Sequence, residues 1–243
     1  RQSVQKYVNE ATLPEDIGVV RAVVAPHAGY IYSGPTAGYA FKALTTLAEK
    51  KWTVFLLGPA HRAYFSSVSL GKYSAFRTPL GDVPVAVDRV AEMLARSPLY
   101  TSKSRPHAAE HCLEVEIPFL QVTLADFMLA PMLFGAVDPG KVAEEIVNYI
   151  DKDDLIVVSS DLSHFHSHDE AQRLDHTLLE AVMAGDEDGV LEGEACGQAP
   201  LTTLMEIARR KGWRPHLLDH RTSGDTAGDK GRVVGYASIA YTE

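Results

Sequence analysis

Two cysteines in a chain of 243 residues, Cys112 and Cys196, are too few for a disulfide framework, so each is read as a separate thiol. Long apolar runs are missing too. Stretches such as VFLL and LIVV fall far short of the roughly 20 residues that a membrane-crossing helix needs, and the opening RQSVQKYVNE is polar where a secretory leader would be apolar. There is no cluster of lysine and arginine either. With a formal charge of −9, the chain lacks the basic surface that displaces counterions from phosphates, which excludes a general nucleic-acid binder. The expectation is a cytoplasmic protein that engages neither nucleic acid nor membrane. Internal repeats, low-complexity tracts and dividing linkers are absent as well. At 46% hydrophobic and 23% charged, residues 1–243 read as one globular domain with a substantial core.

What is present is an alternation. Three runs, RAVVA (21–25), WTVFLL (52–57) and DLIVV (154–158), are apolar without polar alternation, as parallel strands covered on both faces are. Helical patterns span 36–50, 88–98, 110–124 with Pro118 as an expected break, 139–150, 169–186 and 199–212. Residues 232–241 read as a terminal strand, and the Gly/Asp-rich segment 221–232 as a loop. The fold class that follows is α/β, with a mostly parallel central sheet flanked by helices.

All three runs lead into chemistry. The first enters Pro26-His27, the second Gly58-Pro59-Ala60-His61, and the third Ser159-Ser160-Asp161-Leu162-Ser163-His164. In open α/β sheets, ligands bind in the crevice beyond the carboxyl ends of the strands. Neighbouring strands would therefore bring His27, His61, Asp161 and His164 together. Neutral imidazoles suit iron, copper or zinc, and a third, anionic ligand could be Asp161, Glu110 or Cys196. Cys196 stands just before a helical pattern whose positive end would favour its thiolate, whereas Cys112 reads as a small apolar filler.

Several motifs in order, PHAGYIYSGPTAGYAF, LLGPAH, EHCLEVEIPFLQ, SSDLSHF, ACGQAPL and SGDTAGDKGRVVGYAS, resemble the Memo family, whose microbial members are called AmmeMemoRadiSam system protein B. The family's usual N-terminal segment with its Tyr-Pro motif is not found here. The resemblance implies a fold similar to the class III extradiol dioxygenases, in which two histidines and a glutamate hold Fe(II). It places the metal ligands at His27, His61 and Cys196, with the thiol replacing the carboxylate. A softer thiolate brings copper into play beside iron, and a site that holds no metal is the remaining alternative. His164 and Asp161 are then the candidates for moving protons. Tyr30, Tyr32, Glu110, His111, Ser223 and Asp225 are expected around a small catecholic or related substrate. Within HFHSHD only His164 falls on the family motif, so His166 and His168 are read as solvated. The implied function is a dioxygenase-like, metal-dependent redox enzyme. The alternatives are a peptide- or ligand-binding module in the same pocket and a copper- or iron-handling protein. The family's microbial name also implies a link to radical-SAM and AMMECR-type proteins.

Overall fold

The computed structural model describes residues 1–243. The chain opens with α1 (Gln2–Glu10), β1 (Val20–Ala25), α2 (Tyr30–Leu44) and β2 (Lys51–Pro59). Shorter elements follow: β3 (Val68–Ser69), the hairpin of β4 (Ala75–Thr78) and β5 (Gly81–Pro84), α3 (Val87–Arg96) and β6 (Tyr100–Thr101). Then α4 (Cys112–Thr123), β7 (Asp126–Phe134), α5 (Pro139–Val147) and β8 (Asp154–Ser159) resume the alternation. The last part comprises β9 (His164–His166), α6 (His168–Ala184), α7 (Glu187–Glu192), α8 (Gln198–Lys211), β10 (Arg214–Thr222), α9 (Ser223–Ala227) and β11 (Val233–Thr242).

The main sheet runs β10-β11-β1-β8-β2-β7-β3-β6, with β9 paired to β11. Its centre, β1-β8-β2-β7, is parallel, while β11 runs antiparallel to both β1 and β10. Successive strand side chains point to opposite faces, and here both faces are covered. In β2, Val54 and Leu56 enter a core that includes Phe41 of α2 and Ile117 of α4; Phe55 and Leu57 enter another that includes Ile146 of α5 and Leu204 of α8. Burial on two sides is why these strands read as unbroken apolar runs. No helix is long and apolar enough to cross a membrane.

The structure corrects several element boundaries. Pro118 does not break α4: the helix runs through it, buried through Ile117, Phe119 and Leu120. Packing of that kind outweighs the roughly 3 kcal/mol that an interior proline costs. The Tyr30 hydroxyl also donates to the Val115 carbonyl, at 2.9 Å, in the turn that the proline disturbs. The helix expected over 36–50 begins earlier, at Tyr30, and contains Pro35. Segment 221–232 is not all loop, since it completes β10 and forms α9. Strands β7 and β10 were not marked by any sequence pattern used above.

Candidate metal centre

The register puts the three chemistry-bearing turns side by side. Ala25 of β1 lies opposite Ser159 of β8, and Leu57 of β2 lies opposite Val158. All three strands point the same way, so His27, His61 and Asp161 leave the sheet at one edge. Two glycines let neighbouring segments close in. A Cβ on Gly58 would stand 2.6 Å from the Cys112 Sγ, so its absence allows the start of α4 to approach the end of β2. A Cβ on Gly197 would stand 2.5 Å from the Ser160 Cβ, so that glycine seats Cys196 against the β8 turn.

The resulting cluster contains three imidazoles. Ring centroids of His27 and His61 are 5.2 Å apart, those of His27 and His111 5.4 Å, and those of His61 and His111 5.3 Å. Each ring offers a nitrogen, and the three donor atoms lie within 4.8 Å of one another. His27 is only 2% exposed, whereas the His111 side chain is 48% exposed, so the group runs from the interior to the rim.

Each inner imidazole is held from behind. The His27 Nδ1 lies 2.7 Å from the Ser159 Oγ, and its backbone N–H donates to Asp161 Oδ1 at 2.8 Å. The His27 Nε2 faces the Cys196 Sγ at 3.4 Å. Burial, followed by the neighbouring His61 and His111, pushes the His27 pKa down to about 3, which keeps the ring neutral as a metal ligand must be. His61 rests on Glu110, whose Oε1 is 2.9 Å from Nδ1 and whose Oε2 accepts the His61 backbone N–H at 2.6 Å. Glu110 also accepts the N–H groups of His111 and Cys112 at the start of α4. Burial alone would raise this carboxyl, yet the His61 ring and those amides hold it well below the usual carboxylate range. Fixing one nitrogen of a histidine in this way orients the ring and presents the other nitrogen to the cluster, as the outer partners of metal-bound histidines do.

Cys196 departs from its expected state. Burial and then the Asp161 carboxylate push the thiol up to about 12, which outweighs the helix end of α8. The protonated thiol has both the His27 Nε2, at 3.4 Å, and the Asp161 carbonyl, at 3.6 Å, within reach, and its sulfur accepts the Asp161 N–H at 3.2 Å. Asp161 is buried, which lifts its carboxyl to about 6 against the pull of the His27 and Ala28 amides.

The other expected residues are distributed unevenly. The His164 N–H donates to Glu194 Oε1 at 2.9 Å, and His164 contributes to the electrostatics of both His27 and Asp161. Phe165, directly after it, has a φ of 65° and is 60% exposed beneath the Arg232 guanidinium. Tyr32 is partly exposed at the start of α2, while the Tyr30 hydroxyl is turned into α4. The Ser223 Oγ accepts the Val234 N–H, and Asp225 closes a capping box with Thr222 at the start of α9. His168 is not solvated: it is buried, with Nδ1 2.8 Å from the Thr222 Oγ1. His166 is partly exposed and meets Glu194 at 2.8 Å. Cys112 is fully buried, and its thiol donates to the Pro59 carbonyl, which suits a packing role.

Comparison with known proteins gives this geometry its family context. The family model described as Memo-like protein matches residues 1–240. The chain belongs to the Memo family. A MEMO1 family protein of Sulfolobus acidocaldarius is 36% identical over 234 residues, covering 91% of this chain and 82% of the relative. One from Thermoplasma acidophilum is 36% identical over 232 residues, covering 91% and 85% respectively. A solved structure titled uncharacterized protein JW3007 from Escherichia coli K12 matches with a TM-score of 0.58 at 13% identity, covering 91% of this chain and 99% of that one. That likeness concerns the fold alone. In this Memo family chain the crevice at the parallel strand ends therefore carries two overlapping groups that could hold a metal ion, His27 with His61 and His111, and His61 with Glu110 and Cys112; Cys196 belongs to neither and meets the first through His27.

Proposed function

We propose that the chain is a metal-dependent, dioxygenase-like redox enzyme whose ion is held by His27, His61 and Cys196, with His111 at the rim as a further donor. One observation carries this reading. The donor atoms of three neutral-capable imidazoles converge to within 4.8 Å of one another, and both inner rings are held through Nδ1, which leaves Nε2 to the cluster. The donor set fits Fe(II) or copper: imidazole suits both, and the thiolate softens the site toward Cu(I). When bound, Fe(II) would offer a Lewis-acidic seat for the paired oxygens of a catechol-like substrate and relay that substrate's electrons to dioxygen.

The rest of the work falls to the protein. Asp161, whose carboxyl burial raises, can take or return a proton at the edge of the cluster. His164 stands beside it as the second proton-moving group. Asp161 Oδ2 lies 4.0 Å from His27 Nε2, which supports a short path for its proton.

Metal analysis of anaerobically purified, untagged protein tests this directly. Near-stoichiometric iron in the wild type, lost in both His27→Ala and Cys196→Ala with the fold retained, is the expected result, and it justifies a screen of catechols. Copper in place of iron would move the reading to metal handling. Full metal content in the His27→Ala variant would refute the site.

A further inference from the structure

Glu116 is fully buried in α4, faces no lysine or arginine, and plays no part in the chemistry above. Its Oε1 lies 2.9 Å from the Ser159 Oγ, the same hydroxyl that touches His27 Nδ1 at 2.7 Å and the Cys112 carbonyl at 2.8 Å. Its other oxygen, Oε2, is buried without a partner.

Counting protons resolves this junction. Ser159 has one proton to give and two lone pairs to receive with. The Cys112 carbonyl can only accept, so the Ser159 hydroxyl proton goes there. His27 Nδ1 and Glu116 Oε1 must then both donate to the Ser159 Oγ. All three contacts are satisfied only when His27 is protonated on Nδ1 and Glu116 is a neutral acid. An orphaned Oε2 agrees, since a buried carbonyl oxygen without a partner costs far less than a buried carboxylate oxygen. Desolvation, and then the Asp161 charge, act in the same direction on Glu116, against the Ser159 bond. The titratable neighbours are Asp161, the Cys112 thiol, the Tyr30 phenol and, across Ser159, His27; no permanent cation is among them.

A divalent ion at His27 Nε2 changes the balance, because an opposite charge favours the ionised acid. We propose that Glu116 is a positioning residue that stores one proton in the empty site and releases it when a divalent cation binds. The O–H bond of Glu116 breaks, its proton goes to the buffer, and the Ser159 hydroxyl turns from the Cys112 carbonyl to the new carboxylate. His27 is then backed through Ser159 by an anion, as metal-bound histidines commonly are directly. This deepens the metal-site reading and rests on it.

The test is calorimetric titration of Zn²⁺ into metal-free protein at pH 7, in buffers of different ionisation enthalpy. Wild type should release about one proton more per ion than Glu116→Gln, which keeps the shape and a donor for Ser159 but has no acid to ionise. Infrared difference spectra supply a second readout on the wild type alone, should that variant fold poorly. A protonated-carboxyl band of the metal-free wild type should vanish when Zn²⁺ is added. Bound Zn²⁺ with equal proton counts, or a band that persists, overturns this inference and leaves the metal site intact. Failure of Zn²⁺ to bind wild type overturns both.

Discussion

Glu110 shows how much a single carboxylate can carry. It meets the ring and backbone of His61 and the first two N–H groups of the α4 entry, so it joins a strand end to a helix start. Glu110→Gln keeps the volume but loses the charge, and an amide cannot accept on both ends. We expect Zn²⁺ or Fe(II) to bind about 10- to 100-fold more weakly, the range seen when a partner of a metal-bound histidine is lost. Unchanged affinity by calorimetry would reduce Glu110 to a helix cap. The strand-end pattern made His27, His61 and Asp161 legible in the sequence. The backing roles of Glu110 and Ser159 were not, because they depend on how closely α4 docks against β2 and β8, and no local spacing encodes that.

At the scale of elements, that docking hangs on Gly58. Gly58→Ala would drive a Cβ to 2.6 Å from the Cys112 Sγ and 2.9 Å from Leu113 Cδ2, inside the packed α4 contact. A cost of about 1–3 kcal/mol is expected from overpacking, measurable by urea unfolding, together with weaker metal binding because α4 carries Glu110 and His111 at its entry. In helix α8 charge acts along the helix itself, where Glu206 pairs with Arg209 and Arg210 one turn on. Glu206 is held down to about 2, first by its Arg209 hydrogen bond and then by Arg210, against the effect of burial. A depressed carboxylate contributes stability above its unfolded value near 4.5, and that contribution fades as pH falls toward 2. Because both arginines are more than a third exposed and Glu187 bears a like charge against Glu206, the contribution is discounted to about 0.5–1 kcal/mol. Glu206→Gln should therefore lower stability at pH 7 by that amount and bring the variant level with wild type near pH 2; an equal gap at both pH values would exclude the clamp. The same scale explains the missed strand. In β7, Pro131 sits in mid-run, where a proline argues against a central strand. The fold tolerates it because β3 covers only Leu133 and Phe134 on that side.

For the whole molecule, the α/β alternation was legible because each buried strand is apolar on both faces, while the edges were not. Strand β10 alternates charged, imidazole and apolar residues, and it is a strand only because β11 lies beside it. A bound ion should stabilise the entire domain, since its ligands are spread over the fold. At a metal concentration of 100 Kd the gain is about 2.7 kcal/mol, which for a chain of this size raises Tm by about 5–10 °C. Wild type should show that rise by calorimetry and His27→Ala should not; a rise in both would place the ion elsewhere. The distance along the chain between donors adds a consequence in time. His27 and Cys196 are separated by 169 positions, so during synthesis the first ligand leaves the ribosome long before its partner. On the proposed ligand set, a nascent chain bearing only the early histidines lacks its sulfur donor, and metal loading becomes an event that waits for the segment carrying Cys196 to emerge.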